Sequence, residues 1–270
     1  MRPGRAAKSR RERSRRLLRP RAVAVVGVAV ALVVVGALSA WFRLSPSDSD
    51  DGPLTAAIVD QLSVTLPNAG FIERATATLE QNGYQVDYYS GEETDVDFYR
   101  SLPAQGYDVI VFRNHADRLR AIEPSGERFD EVVLFTSEPY ERDRYVVDQG
   151  ANRLTIARYY QDGPPYFGIS ARFVKDSMTG DFDGATIIMM GCEGLLTDTT
   201  AEAFIERGAS SYISWDEAVS VTHTDAAGER LLQLLLTDRL SPSDAVEKTM
   251  AELGPDPTYK STLLAYPADS

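Results

Sequence analysis

Two residues of this chain have side chains suited to nucleophilic catalysis, and each follows an apolar run. His115 comes after the run Asp108–Phe112, and Cys192 comes after the run Ala185–Met190. A thiolate attacks a carbonyl carbon while an imidazole carries the proton, so such a pair provides a nucleophile and its base. A neighbouring imidazolium would also lower the pKa of the thiol from about 8.5. The pair can act only if the fold brings the two runs side by side.

Glycines on both sides of the cysteine add a second chemical feature. The turn Gly191–Gly194 lets the backbone approach a ligand closely, and its N–H groups are placed to bind a developing oxyanion. The alternative is an inert core thiol, because cysteine is among the most buried residue types. His115 could likewise be a partly exposed residue without a catalytic role. The other histidine, His223, precedes a predicted helix, where a local capping role competes with catalysis.

The elements that must position these residues alternate between apolar runs and helical patterns, which predicts a mostly parallel α/β sheet flanked by helices. The predicted strands are 56–59, 85–89, 108–112, 185–190 and 211–214. Predicted helices begin after Asn68, at Thr199 or Thr200, at Asp225 and after Ser241. Functional residues of such sheets gather beyond the carboxyl ends of the strands. One rim would therefore hold His115, Cys192, Asp60, Trp215 and Asp216.

The middle of the chain, residues 117–181, departs from this alternation. Short strand-like segments at 132–135, 145–147 and 154–157 are separated by charged and turn residues, and Gly163-Pro164-Pro165 is a firm break. We expect this part to form an inserted antiparallel excursion beside the parallel sheet.

The N-terminal part of the sequence is typical of a membrane anchor. Residues 1–21 hold ten of the 28 basic residues, and the uncharged run 22–42 is 21 residues long, enough to cross about 30 Å of hydrocarbon. The positive-inside rule keeps the basic tail in the cytoplasm and exports the remainder. We therefore expect a flexible linker at 43–54 and an extracytoplasmic domain at 55–270. A cleaved signal peptide is the alternative, with Ala37-Leu38-Ser39-Ala40 as an imperfect cleavage site.

Charge and cysteine content narrow the classes of partner. The formal net charge is -12, and residues 44–270 alone carry 17 basic against 39 acidic residues, or -22. So acidic a surface repels phosphates, which argues against nucleic acid as a partner. One cysteine cannot form an internal disulfide. One cysteine and two histidines without ligand spacing predict no metal site, and we expect no cofactor.

Taken in order, these motifs resemble a known fold. A strand ending in His115, then a strand ending in Gly191-Cys192-Glu193-Gly194, is similar to the caspase-like fold of caspases, gingipains, separases and CHAT domains. The closing segment resembles that of CHAT and gingipain-type domains, with Ser214-Trp215, Asp225, a leucine-bearing helix and Asp244-Ala245-Val246. The resemblance covers roughly residues 55–250. It departs at Ala116, where the family usually has glycine.

The resemblance implies a membrane-anchored cysteine peptidase-like protein that acts on a peptide or protein. Cys192 would be the nucleophile and His115 the general base and then acid, while Ala116 keeps the N–H that often serves the oxyanion site. Asp216 would line a pocket for a basic side chain, with Trp215 and Asp60 beside it; plain surface carboxylates are the alternative for the two acids. The alternative function is a non-catalytic caspase-like module that binds a peptide or protein partner at the same rim.

Overall fold

A mostly parallel sheet forms the centre of the computed structural model, which describes residues 52–122 and 128–268. Its six strands are β1 (Thr55–Asp60), β2 (Gln85–Ser90), β3 (Val109–Arg113), β8 (Thr186–Met189), β9 (Ser211–Trp215) and β10 (Leu263–Tyr266). They follow the order β10-β9-β8-β3-β1-β2, and only β10 runs antiparallel to its neighbour. The five predicted strands are confirmed to within two residues at each end, and β10 was not predicted.

The strands form because their side chains are buried on both faces of the sheet. In β1, Ala57 and Val59 pack into one apolar cluster, while Ala56 and Ile58 pack into the cluster on the opposite face. Side chains of a strand alternate between faces, so a continuous apolar run is what a doubly covered strand requires. The central position of β3, between β1 and β8, agrees with the prediction from its apolar sequence.

Helices cover both faces of this sheet. They are α1 (Ala69–Gln81), α2 (Val96–Ser101), α3 (Val146–Gly150), α4 (Ala171–Asp176), α5 (Thr199–Glu206), α6 (Val221–Leu232) and α7 (Pro242–Leu253). The predicted cap of α1 is confirmed, since Asn68 Oδ1 accepts a hydrogen bond from Phe71 N at 3.1 Å. Helix α6 begins four residues before the predicted Asp225 and continues as a π-helical turn, Gln233–Thr237.

The predicted antiparallel excursion is a second sheet. Its strands are β4 (Ala116–Ile122), β5 (Arg128–Pro139), β6 (Leu154–Ala157) and β7 (Tyr166–Ile169), in the order β4-β5-β7-β6. All their pairings are antiparallel. The predicted strand 154–157 is confirmed, and the segment 132–135 lies within β5.

The prediction of a strand at 145–147 is wrong, because this segment leads into helix α3. Tyr145 adopts a left-handed φ of 51°, and Val146 and Val147 are 58% and 74% exposed. Neither valine has a buried face to pack against, so their preference for strands is overridden by local contacts. Asp148 on the same turn accepts hydrogen bonds from Arg100 at 2.9 Å and from Ser177 at 2.7 Å.

The two sheets meet where β3 runs into β4 through Asn114 and His115. Asn114 Oδ1 accepts a hydrogen bond from the Tyr99 hydroxyl at 2.8 Å, and Asn114 Nδ2 donates to Phe135 O at 3.0 Å. These buried bonds fix the chain between the sheets and so fix the direction in which His115 leaves β3.

Within the described ranges, no helix is long and apolar enough to cross a bilayer. The predicted span at 22–42, with the basic tail before it and the start of the linker after it, lies outside the residues that the structure describes.

Candidate active site

His115 and Cys192 line one cleft, which lies at the carboxyl ends of two paired strands. Strands β3 and β8 are parallel neighbours, and Met190 N donates to Phe112 O at 2.7 Å just where β8 ends. The strand order thus brings together two residues that are far apart in the chain, as the sequence predicts. The cleft has a volume of about 250 Å³, and we call it the Cys–His cleft. It is lined by His115, Ala116, Asp117, Phe135, Arg158, Tyr159, Cys192, Glu193 and Ala218.

The thiol of Cys192 is held by the loop that follows β9. Its Sγ accepts from Val219 N at 3.5 Å and lies 3.7 Å from Val219 O. Burial raises the pKa of the Cys192 thiol, and the negative charges of Glu193, Asp117 and Asp256 add to the rise, against the lowering effect of the Val219 amide. The expectation of a lowered thiol pKa is therefore wrong for this conformation, in which the sulfur is a neutral thiol at pH 7.

His115 is held by contacts from three sides. Its backbone N–H donates to the Oε1 of buried Gln61 at 3.0 Å, and its Nε2 lies 3.1 Å from Thr65 Oγ1. The ring packs against Tyr159, with 4.7 Å between ring centroids. Burial lowers the pKa of His115 to about 4, and the nearby positive charge of Arg113 acts in the same direction. At neutral pH the imidazole is therefore uncharged.

A neutral thiol and a neutral imidazole that line the same cleft are in the protonation states from which general base catalysis starts. An unprotonated imidazole nitrogen can accept the thiol proton as the sulfur attacks, whereas an imidazolium cannot. If Nε2 donates its hydrogen to Thr65 Oγ1, the other nitrogen, Nδ1, carries the free lone pair for this transfer. The arrangement can therefore deprotonate the nucleophile during the attack rather than before it.

The turn after β8 contains glycine because a side chain would collide with its surroundings. A Cβ on Gly191 would lie 2.3 Å from Asn114 O, and a Cβ on Gly194 would lie 2.1 Å from Ser214 Oγ. Between them, Glu193 adopts a φ of 61°, which is strained for a residue with a side chain. Glu193 N donates to Glu217 O at 3.0 Å, so this amide is already bonded. Gly191 therefore lets the cysteine turn pack directly against the residue that follows β3, and Gly194 lets it pack against Ser214 of β9.

Ala116, where the resemblance to caspase-like proteins leads us to expect glycine, presents its amide to the side of β4 that faces away from β5. Residue Ala116 pairs with Leu134, and the preceding pair is hydrogen bonded through Phe135 N and His115 O at 3.0 Å. Hydrogen-bonded and non-hydrogen-bonded pairs alternate in an antiparallel ladder, so the N–H of Ala116 faces away from β5. Ala116 also lines the Cys–His cleft. Its amide is therefore on the side where an oxyanion donor would be needed.

Asp60, one of the predicted substrate-binding residues, belongs to a buried ion network instead. It is 1% exposed, and its Oδ1 accepts from Arg113 Nη1 at 3.0 Å. The fully buried Arg113 also donates to Asp225, from Nε at 2.7 Å and from Nη2 at 3.0 Å. Burial lowers the pKa of Arg113, but the bonds and charges of Asp225 and Asp60 outweigh it and raise the pKa overall. These contacts give Asp60 a structural role beneath the rim.

Trp215 and Asp216 also make structural contacts. Trp215 is completely buried, and its Nε1 donates to Thr224 Oγ1 at 2.9 Å. Asp216 accepts from Thr262 N at 2.7 Å and from the Thr262 hydroxyl at 2.5 Å, which joins the end of β9 to the start of β10. His223 likewise has a local contact, since its Nε2 lies 3.2 Å from Gly254 O. In this conformation the geometry gives no support to a substrate-binding role for Trp215 or Asp216.

Sequence reasoning missed the residues that hold His115 in place. Gln61 Nε2 donates to the Tyr159 hydroxyl at 2.7 Å, so one fully buried side chain links Tyr159 to the His115 backbone. Gln61 follows β1 directly, and a polar residue at the carboxyl end of a strand is a signal that could have identified it. Thr65 and Tyr159 come from separate loops, and nothing in the local sequence connects either residue to His115.

Comparison with known proteins identifies no family. No protein-family model matches the chain, and no curated protein matches it. Within residues 52–122 and 128–268, no three His, Cys, Asp or Glu side chains are grouped so that they could hold a metal ion.

Proposed function

We propose that this chain is a membrane-anchored, extracytoplasmic cysteine peptidase-like protein with a caspase-like fold. One observation carries the proposal: His115 and Cys192 line a single cleft at the carboxyl ends of the adjacent strands β3 and β8. This is the placement that the resemblance to caspase-like proteins implies. His115 is uncharged at pH 7, the form that can accept a proton, but its pKa of about 4 makes it a weak base in this conformation.

In the proposed reaction the Cys192 thiol attacks a peptide carbonyl. A bond forms between Sγ and the carbonyl carbon, and the thiol proton passes to His115. The negative charge on the carbonyl oxygen is stabilised by backbone N–H groups, for which the outward amide of Ala116 is the candidate. His115 then gives its proton to the leaving amine as the C–N bond breaks. Water hydrolyses the thioester and restores the thiol, with His115 again carrying the proton.

The alternative is a non-catalytic module that binds a peptide or protein partner in the same cleft. It is favoured by the state of Cys192, whose sulfur contacts Val219 and whose thiol pKa is raised. A peptidase must release the sulfur from this contact when the substrate binds, whereas a binding module need not.

Cleavage of peptides by the purified full-length chain in detergent micelles separates the two functions. A library of fluorogenic peptide amides should be cleaved, and Cys192→Ala should lose essentially all of the activity. His115→Ala should lose about 10²- to 10⁴-fold, the usual contribution of a general base. His223→Gln is the matched control, because His223 contacts Gly254 rather than the cleft, and it should retain activity. A folded chain that cleaves no peptide, or that cleaves equally well as Cys192→Ala, would overturn the peptidase proposal.

The membrane anchor is proposed on the sequence alone, from the basic residues before 22 and the uncharged run 22–42. Protease added to intact cells should then degrade residues 55–270 and spare the basic tail. Protection of the C-terminal domain in this assay would contradict the extracytoplasmic location.

A further inference from the structure

Strand β4 has an unpaired edge that begins at the Cys–His cleft. Among residues 52–122 and 128–268, it is the outermost strand of its sheet and pairs with β5 alone. The register that turns Ala116 outward repeats every second residue, so the backbone N–H and C=O groups of Arg118 and Arg120 also face away from β5. Ala116, Arg118 and Arg120 therefore turn backbone groups away from β5, in a row that starts at the Cys–His cleft.

A groove runs along this edge. Four consecutive β4 residues, 117–120, form one wall, and Glu193, Leu196 and Glu217 form the other. We call it the β4 groove; its volume is about 580 Å³. Asp117 and Glu193 also line the Cys–His cleft, so the groove and the cleft adjoin at these two residues. A groove with a strand edge as its wall has the shape that an extended peptide fills when it adds a strand to a sheet.

The outward amide of Arg118 is occupied by side chains at present. Its N–H donates to Asp117 Oδ1 at 2.8 Å and to Glu193 Oε2 at 3.1 Å. Both acceptors are side-chain carboxylates, so a peptide carbonyl can replace them if they rotate away. Hydrogen-bond acceptors therefore already occupy the position that the carbonyl oxygen of a partner strand would take.

The charge of the β4 groove favours a basic occupant. Its lining includes the carboxylates of Asp117, Glu193 and Glu217. The guanidinium of Arg118 forms a two-bond ion pair with Asp130, and Arg120 Nε lies 3.9 Å from the same carboxylate. With Asp130 included, four carboxylates stand against two guanidiniums, so the net charge around the groove is negative. The linker at 43–54 carries three aspartates and one arginine, which is the wrong sign for this surface.

We infer that an extended peptide with basic side chains binds in the β4 groove by pairing with the edge of β4 as an added strand. The inference rests on the proposed function for its link to Cys192, since the paired strand would lead the peptide into the Cys–His cleft. The peptide's carbonyl takes the N–H of Arg118 from Asp117 and Glu193, and its basic side chains face the groove's carboxylates.

A proline substitution tests the backbone pairing. Arg118→Pro removes the outward N–H without removing a bond to β5, and proline is tolerated on a strand edge. Arg118→Ala is the matched control, because it loses the same ion pair with Asp130 but keeps the N–H. For binding, both changes are made in full-length Cys192→Ala, so that no cleavage occurs. For cleavage, the same two changes are made in the chain that keeps Cys192. The probes are fluorescein-labelled octapeptides of alternating valine and threonine that carry two lysines or, at the same positions, two glutamates.

Fluorescence anisotropy should show that the lysine peptide binds. Its binding to Arg118→Pro should be about tenfold weaker than its binding to Arg118→Ala, because the proline variant lacks one hydrogen bond. Glu217→Gln should weaken binding of the lysine peptide. Glu247→Gln, which changes an exposed carboxylate on α7, should leave this binding unchanged. If Arg118→Pro does not fold, a backbone N-methylated lysine peptide replaces it, with the same expected loss. Equal binding by the proline and alanine variants, equal binding of the methylated peptide, or no binding of any peptide would overturn the inference. Peptide binding that is weakened by Arg118→Pro, without any cleavage, would defeat only the peptidase proposal. Cleavage that Arg118→Pro leaves unchanged would defeat only the inference that the peptide pairs with β4.

Discussion

Gly191 lies against the backbone of Asn114 so closely that a Cβ at this position would be 2.3 Å from the Asn114 carbonyl oxygen. The contact joins the residue before Cys192 to the residue before His115. The separation of the backbones at His115 and Cys192 is therefore set by packing at the ends of β3 and β8.

We predict that Gly191→Ala destabilises the fold by about 1–3 kcal/mol, because the added methyl group must displace the Asn114 carbonyl. Gly150→Ala is the control, since a Cβ at Gly150 meets nothing within 4 Å. Urea denaturation of the two variants measures the difference. Equal stability would show that the turn can relax away from Asn114, and that backbone packing does not fix the spacing of the pair.

The protonation state of His115 can be measured directly, because the chain has only two histidines. We predict an NMR titration midpoint near 4 for the His115 ring, whose pKa is lowered by burial and by the charge of Arg113. The variant His223→Gln leaves a single histidine signal and so assigns it. A midpoint near 6.5 would mean that burial and Arg113 do not act on the ring as the structure indicates, and a midpoint well above 6.5 would mean that His115 is paired with a thiolate in the resting protein.

The same shift predicts how stability depends on pH. The folded pKa of His115, about 4, lies below its unfolded value of 6.5, so the unfolded chain binds more protons between these values. Stability from this group is complete above pH 6.5 and is lost as pH falls towards 4. His115→Gln should therefore show a smaller loss of stability between pH 6.5 and 5 than the unchanged chain does.

The buried ion network beneath the site should be costly to break. Arg113→Met leaves the carboxylates of Asp60 and Asp225 buried without their shared cation, which we expect to cost about 3–5 kcal/mol. Arg74→Met is the control: it removes a cation that is 59% exposed and paired with Glu229, and should cost at most about 1 kcal/mol. Thermal or urea unfolding compares the two. A cost as small as that of Arg74→Met would mean that the carboxylates take up protons and no longer need the arginine.

The sequence predicted the parallel sheet well because β1, β3 and β8 are apolar on both faces and so depend little on distant partners. The placement of His115 and Cys192 in one cleft followed from the same strands, since it needs only the rule that parallel strands end at one rim. The inserted antiparallel segment, residues 117–181, was harder to predict. Val146 and Val147 have the composition of a strand, but no neighbouring strand pairs with them, and such pairing is a property of the whole fold.

The binding roles assigned to Asp60 and Asp216 show a second limit of sequence reasoning. Both residues do follow strands on the expected rim. What the sequence does not contain is the identity of their partners, Arg113 and Thr262, which lie 53 and 46 residues away and whose bonds hold the carboxylates in structural contacts. A carboxylate at a strand end is therefore a site candidate only until its hydrogen-bond partners are known.

The state of the Cys192 thiol gives the last prediction. Because burial and the charges of Glu193, Asp117 and Asp256 raise its pKa, the rate of alkylation by iodoacetamide should rise with a midpoint at higher pH than that of free cysteine. The pH of the midpoint reports the thiol pKa separately from access to the half-buried sulfur, which changes only the limiting rate. Glu193→Gln and Asp117→Asn should each move the midpoint to lower pH, because each removes a negative charge near the sulfur, while Glu247→Gln should leave it unchanged. A midpoint below that of free cysteine would show a thiolate stabilised by His115 in the resting protein, and the proton transfer during attack described above would then be replaced by a preformed ion pair.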